Sequence, residues 1–569
     1  MRTYIYSISF VLILLFCGCN KYNQPKGSQN TVNNLALFCK VWGFLKYYHP
    51  DVGGGIINWD SVLVNNIERI QFLHSSDSLK QFFDEIVPQC HETFHFQLSD
   101  LEDSIVYDNA SVLWIYDTNI FSSKTIKRLD CIYHNSYEFE SNYISKNEWV
   151  KNPIFDQDTF CNQIPFPNNK IRLLSLFRYW NIINYYYPYK YLTDVPWDSV
   201  LHQFIPKFYN ATDAIEYHLE VCKLTAMIND NHAYTSSNII ENKYGNRFLP
   251  VKFQLVEGRT IITDTYSDSL AELNNLTIGD LIYKINTISI EDIRDSMHIY
   301  FSGSDSLSIQ NTISYFLSRS PNVSMQLDVC RDDSIFSVIC PTYQRSLLSK
   351  ERKKKAQTKT IKRIDEFIAY VDLSKLNYEN VDSIISQMLN YKYLILDLRK
   401  NCQFILYELC DLLYAEQFIF YSVTTPVYNK PGLFSYRIGD PGGPQRYNPS
   451  FYKGELIILI DEETQSIGEF TTMALLKHKN SISIGRPTAG ADGNVSLITL
   501  PGNIQTYISG IGIYWPDGKI TQRCGIIPTI ITNQQLQSVA NRQDDIMLKA
   551  IEYAQSKAQS STKNIEQIY

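Results

Sequence analysis

A duplicated helical unit constrains this chain more than any other feature. Leu37, Phe38, Trp42, Tyr47, Tyr48, Pro50 and the run Trp59-Asp60-Ser61-Val62-Leu63 recur as Leu176, Phe177, Trp180, Tyr185, Tyr186, Pro188 and Trp197-Asp198-Ser199-Val200-Leu201. Trp to Pro is eight positions in both copies and Pro to the second Trp is nine, with 138 positions between Trp42 and Trp180. A register kept this strictly predicts two related helix-loop-helix units, each first helix ending before its proline, because the residue ahead of a proline is pushed out of the helical region. The shared aromatics are expected in the core. Ala214 to Ile228 then reads as an amphipathic helix stopping at Asn229-Asp230-Asn231-His232, and alternation at Phe94, Phe96, Leu98 and at Val112, Trp114, Tyr116 predicts short strands between the copies.

The first residues predict an address. Met1-Arg2 precedes an apolar run from Tyr4 to Phe16, too short to span a bilayer, which takes about 20 residues, but suited to a signal peptide. Its end, Phe16-Cys17-Gly18-Cys19, resembles a bacterial lipobox, which implies lipid attachment at Cys19 after removal of 1–18. Residues 19–34 then read as a polar tether. The expected location is the cell envelope, at the periplasmic face or the outer-membrane surface. A net charge of −7, from 52 basic and 59 acidic residues, lacks the footprint of a nucleic-acid binder. The remaining ten cysteines show neither a CxxC pair nor a regular framework, and no disulfide is assigned from their spacing.

Downstream the periodicity changes twice. Residues 246–342 carry strand patterns, and Leu276 to Asn286 (LTIGDLIYKIN) resembles the PDZ signature, in which a Gly-Asp turn leads into a strand and an extended peptide adds to the sheet. The run Lys350 to Arg363 falls in an expected basic linker, 343–364. Over 365–555, short apolar runs at Phe367–Leu373, Tyr393–Leu398, Glu455–Ile460 and Ser481–Ile484 alternate with helical segments, which predicts an α/β core. The remaining boundaries are a repeat domain with a β segment at 35–165, the second helical repeat at 166–245 and a tail at 556–569.

Chemistry concentrates at Ile458 to Glu469 (ILIDEETQSIGE), where a buried strand meets a turn and Ser466 opens a helix. A hydroxyl there faces unpaired backbone N–H groups and the positive end of the helix dipole, which favour the anions of acyl transfer. Ser466-x-x-Glu469 is equally a capping box. His91-Glu92-Thr93-Phe94-His95 matches H-E-x-x-H, but Pro88 upstream and the alternation around Phe94 predict a strand, on which residues four apart lie about 13 Å from each other and cannot share a zinc ion. No metal and no cofactor is expected.

Thr464 to Glu469 (TQSIGE), Ile484 to Asn494 (IGRPTAGADGN) and Leu396-Asp397-Leu398-Arg399 together resemble the C-terminal-processing, or tail-specific, serine peptidases in their tricorn core-like branch. The resemblance implies an α+β multidomain protein: an N-terminal helical repeat region, a PDZ-like β module and a Clp-protease/crotonase-like α/β catalytic core. It implies Ser466 as nucleophile and polypeptides as substrates. The lysine of Ser-Lys members is missing, since Thr488-Ala489-Gly490 continues with Ala491 and Asp492, and Lys477 lies roughly 16 Å along the helix from Ser466. The resemblance instead implies His232 as base, with Asn231 and Gln522 standing where orienting Ser and Glu are usual. The N–H of Ile467 and the turn at Cys402-Gln403, which replaces a Gly-rich turn, are the oxyanion candidates. The expected function is an exported serine endopeptidase, the alternative a catalytically weak or inactive peptide- or ligand-binding lipoprotein on the same scaffold.

Overall fold

The computed structural model describes residues 29–90, 105–135, 141–355 and 360–566. The signal segment, Cys19 and the H-E-x-x-H run lie outside the described residues.

Four helices, Gln29–Tyr48, Trp59–Gln71, Asn169–Tyr186 and Trp197–Asn210, form the heart of an α-helical region. The indole N–H of Trp42 donates to the carbonyl of Trp59 and that of Trp59 to Trp42, at 3.2 and 2.9 Å; Trp180 and Trp197 make the same exchange at 2.8 and 2.9 Å. Each helix pair is thus clasped by its own two tryptophans, which satisfies buried indole donors that would otherwise cost about 1–3 kcal/mol each. Helices Gln29–Tyr48 and Asn169–Tyr186 cross at Gly43, where any Cβ would overlap Asn181, so close approach requires glycine here.

Residues 113–116, expected on a strand, form a 3-10 turn, Leu113–Tyr116, with Ile115 buried and Leu113 exposed. Of the alternating residues Val112 is buried, Trp114 half-buried and Tyr116 exposed, so the alternation does not follow burial here. Cys90 and Cys131 form a disulfide, a pairing the spacing did not reveal.

A second body is an antiparallel sheet in the spatial order Ser334–Pro341, Ser324–Arg331, Leu281–Ile285, Arg259–Thr265, Val251–Val256. Helix Ser306–Leu317 packs on its edge strand Val251–Val256. The expected linker is in part regular structure: Arg345–Lys355 is helical and Ile361–Arg363 is an edge strand antiparallel to Ile368–Asp372. A run of lysines is compatible with a helix because its long unbranched side chains lose little rotamer freedom there.

Beside that edge strand, the α/β core carries strands that run parallel to one another: Ile368–Asp372, Tyr393–Asp397, Glu455–Ile460, Ser481–Gly485 and Ile530–Ile531. Parallel strands are covered on both faces, which is why they read as continuous apolar runs. Leu394, Leu396, Leu456 and Ile458 pack towards helices Leu406–Leu413 and Ile467–Leu475, while Ile395, Ile457 and Leu459 pack against Asp545–Glu566.

Sheet contacts join the core to the helices. Strand Ile105–Asp108 extends the sheet of Leu433–Ile438, Ser422–Pro426 and Gly512–Tyr514. The hairpin Val495–Leu500 and Ile504–Ser509 buries Ile498, Leu500, Ile504 and Ile508 among the helical aromatics, and the hydroxyl of Tyr217 donates to the carbonyl of Pro501 at 2.7 Å.

Candidate active site

Ser466 stands between strand Glu455–Ile460 and helix Ile467–Leu475 with φ 53° and ψ −114°, whereas the helix-preceding residues Ser75, Ser122 and Ser237 are extended. A positive φ at a residue bearing a Cβ is a strained conformation that concentrates at functional sites and needs support from its surroundings. The support is visible. The N–H of Ser466 donates to the carbonyl of Ala491 at 3.0 Å, the N–H of Ala489 to the carbonyl of Thr464 at 3.0 Å, and the Thr464 hydroxyl to the carbonyl of Leu398 at 3.0 Å.

Beneath the turn lies Glu469, fully buried. Oε1 accepts from the Thr488 hydroxyl at 2.5 Å and the Gly490 N–H at 2.9 Å; Oε2 accepts from the Ala491 N–H at 2.9 Å and the Ser466 N–H at 3.3 Å. The capping half of the sequence motif is therefore present, but this carboxylate also holds the loop 488–491 against the nucleophile turn. Ala491 stands in the place of the missing lysine; the next residue, Asp492, is buried with Oδ2 unbonded, and burial followed by repulsion from Glu469 pushes its carboxyl well above the carboxylate range. Glu469 itself is pushed up to about 7 by burial, against the pull of its four donors. Glu469 accepts from four donors and Asp492 from one, so burial favours the neutral form more at Asp492 than at Glu469.

His232 reaches this region on the loop after helix Ala214–Ala226. The loop runs beside the core hairpin: Ser236 and Gln505 exchange backbone hydrogen bonds at 2.8 and 2.9 Å. Nδ1 of His232 is 2.9 Å from the Ser509 hydroxyl and 3.6 Å from Oδ1 of Asp230. Asp230 is buried and accepts from the N–H of His232 at 3.0 Å and of Ser509 at 2.9 Å. The ring is thus held from one side. Its Nε2 is buried and bonds to nothing among the described residues, so no hydrogen bond joins it to Ser466. Burial lowers the imidazole below its ordinary range, with Asp230 opposing.

Nucleophile and base candidates are brought to one place by the residues before them: Nδ2 of Asn231 donates to Oε1 of Gln465 at 3.0 Å. Asn231 was expected to orient the imidazole and does not, because its amide is spent on Gln465. Gln522, expected in the same role, is fully buried beside the Tyr187 hydroxyl and makes no bond to His232. The orienting groups are Asp230 and Ser509. Asp230 lay within the quoted motif, whereas Ser509 carried no signal separable from strand alternation.

Among the described residues the N–H groups of Ile467, Cys402 and Gln403 make no hydrogen bond. The carbonyl of Gln403 accepts from the Ile405 N–H at 2.9 Å, and the Cys402 thiol lies by the Thr471 hydroxyl on the Ser466 helix, with burial pushing it up to about 11. A cleft of ≈ 810 Å³ lies between the antiparallel module and the carboxyl ends of the parallel strands, lined by Lys252, Phe253, Arg399, Lys400, Asp461 and Glu463 among others. Neither Ser466 nor His232 lines it, but Glu463 belongs to the turn that delivers Ser466. No group of side chains fit to hold a metal ion occurs among the described residues.

Residues 367–532 match the family model for peptidase family S41. Mature CPAF complexed with lactacystin shares the fold at 12% identity, with a TM-score of 0.52 over 70% of this chain and 99% of that one. A further crystal structure of mature CPAF gives 11% identity and a TM-score of 0.50 over 68% of this chain and 96% of that one. The photosystem II D1 C-terminal processing protease superposes at 0.39, with 12% identity over 64% of this chain and 93% of its own. No curated protein matches the chain in sequence. The α/β core, residues 367–532, is thus that of peptidase family S41, the C-terminal-processing peptidases.

Proposed function

We propose that the chain is an exported, lipid-anchored serine endopeptidase that hydrolyses polypeptides through an acyl-enzyme on Ser466. Oγ of Ser466 attacks the scissile carbonyl carbon while Nε2 of His232 takes its proton. The N–H of Ile467, with that of Cys402 or Gln403, receives the charge that develops on the carbonyl oxygen. His232 then returns the proton to the leaving amine, and water, deprotonated by the same nitrogen, releases the acyl group. Asp230 and Ser509 fix the ring, and the carboxylate of Asp230 steadies the imidazolium that forms.

The observation that carries this reading is the Asn231–Gln465 hydrogen bond, which ties the residue before the base to the residue before the nucleophile. The unbonded Nε2 supports it, being the nitrogen the proton transfer needs. The Cys90–Cys131 disulfide supports export, since such bonds persist in oxidising compartments. We read the antiparallel module as PDZ-like: Val251–Val256 is an open edge beside helix Ser306–Leu317, where an extended peptide can add as a strand. Attachment through Cys19 would hold the enzyme at the membrane of the cell envelope.

A fluorophosphonate probe tests the nucleophile. Labelling is expected on Ser466 and absent from Ser466→Ala. Labelling that survives the substitution removes Ser466 from the role, and a chain that resists the probe while binding peptide is the inactive binding lipoprotein instead.

A further inference from the structure

The two helical units differ at one place. In the first, four buried groups neutralise one another: Lys46 pairs with Asp60 and Asp158, both at 2.9 Å, and Arg178 pairs with Asp60 at 3.0 Å and Asp158 at 2.9 Å. Asp60 belongs to the repeat. Asp158 does not; it is inserted by the loop 155–162. Two cations therefore face two carboxylates, and all four side chains are at most 4% exposed.

The duplicated register maps Asp60 onto Asp198, Arg178 onto Lys40 and Lys46 onto Asn184. The cross-copy ion pair is kept, with Lys40 2.7 Å from Asp198. At the third position the ammonium comes from elsewhere: Lys190 reaches back to place Nζ 2.8 Å from Oδ1 of Asn184. Among the described residues none takes the place of Asp158. Where that carboxylate would enter there is a cavity of about 620 Å³, walled by Trp114, Trp180, Trp197 and Tyr185 and floored by Lys40 and Lys190. Two cations here face one carboxylate. Asp194 on the rim is engaged by Arg523 at 2.6 Å, and Lys190 makes no ion pair among the described residues. Its amine is held down at about 8 by burial, with Asp198 and Asp108 acting only from a distance.

We propose that this cavity is a second peptide-binding site, which takes a carboxylate of an extended polypeptide against Lys190 and Lys40, with the neighbouring side chains of that polypeptide on the tryptophan walls. The first unit already displays the complex, with Asp158 of the chain itself as occupant. The carboxylate completes the charge set that the second unit lacks, and the half-buried ammonium groups of Lys190 and Lys40 gain a charge-assisted partner. The site stands apart from Ser466 and is independent of its chemistry. Its rim is nonetheless tied to the nucleophile loop, because Arg523, which holds Asp194 and the carbonyl of Leu192, also donates its N–H to the carbonyl of Gly490 at 2.8 Å.

The probe is the chain's own occupant: a fluorescein-labelled peptide of residues 155–162 carrying Asp156→Asn and Cys161→Ser, blocked at its C-terminus. Anisotropy is read on the full chain with Ser466→Ala, so that turnover plays no part. The peptide is expected to bind, and the same peptide with Asp158→Asn to bind about tenfold or more weakly. Lys190→Met in the protein should cost a similar factor, and Lys190→Arg should restore most of it. An Asp158→Asn peptide with a free C-terminal carboxylate separates the two sources: recovered binding shows that the site also takes chain ends, and unrecovered binding restricts it to acidic side chains. Equal affinity for the blocked probe with and without Asp158→Asn, no effect of Lys190→Met, or no binding of any probe overturns the proposal. Comparing Lys190→Met with Lys190→Arg in one set of measurements separates lost charge from lost fold.

Discussion

Nδ2 of Asn231 donates a 3.0 Å hydrogen bond to Oε1 of Gln465, across 234 positions of sequence. The bond joins the end of the helical region to the nucleophile turn of the core, so it sets where His232 lies relative to Ser466. Asn231→Ala and Gln465→Ala should each lower kcat/KM tenfold or more while costing stability about 1 kcal/mol. A double-mutant cycle should find the two losses non-additive. Full additivity in kcat/KM would show that the bond does not position the pair.

The imidazole of His232 predicts the acid limb of the pH profile. Burial lowers its folded value below the ordinary 6.5, with Asp230 resisting. The neutral ring, the form the proposed mechanism uses as base, therefore persists below pH 6.5, and kcat/KM is expected to fall only at more acidic pH. Stability follows the same sign: the unfolded chain takes up the proton first, so acidification from above pH 6.5 down to the folded value destabilises the protein. Asp230→Asn removes the opposing charge, which should move the limb further to acid and lower the plateau. A limb at or above pH 6.5 in the wild-type enzyme would contradict the burial of the ring.

The strand, turn and helix start around Ser466 were readable in the sequence because they leave a local pattern, and the loop of His232 because it closes a helix inside a quoted motif. The partners of His232 were not. Ser509 sits on a strand whose alternation is explained by packing alone, and its role comes from a hairpin that crosses into the helical region, a contact no local window contains. Asn231 and Gln522 were placed by position in a motif, but an amide goes to whichever acceptor the fold brings near, and for Asn231 that is Gln465. The parallel strands were plain in the sequence because both faces are buried. The turn at 113–116 was not, since the residue it buries, Ile115, lies off the alternation of Val112, Trp114 and Tyr116.

The carboxyl pair behind Ser466 predicts an asymmetry. Glu469 accepts from four donors, so Glu469→Gln sets an amide N–H group against backbone N–H groups and should destabilise the protein by about 2–3 kcal/mol while lowering kcat. Burial and repulsion from Glu469 raise the carboxyl of Asp492 in the fold. A raised acid costs increasing stability as pH climbs above its unfolded value, because the unfolded chain releases the proton first, with a limiting slope of about 1.4 kcal/mol per pH unit. Asp492→Asn should therefore gain stability over wild type as pH rises from about 4 towards neutral. Denaturant melts at several pH values read both effects, and an Asp492→Asn gain independent of pH would place the proton on Glu469.

The ion cluster of the first helical unit predicts the largest structural loss. Lys46 is fully buried between Asp60 and Asp158, with its ammonium 4.6 Å from the centre of the Trp42 ring. Removing it by Lys46→Met leaves two carboxylates to share Arg178, and breaking a buried pair from one side costs about 3–5 kcal/mol. The loss should be relieved by a second substitution, Asp158→Asn, which restores the balance of one cation to one anion. In the second unit the equivalent Asn184 already lacks that charge, so Asn184→Ala should cost far less. Urea melts of Lys46→Met, the double variant and Asn184→Ala decide the matter: a double variant no more stable than Lys46→Met would mean that packing of the lysine stem, and not its charge, holds the two helices together.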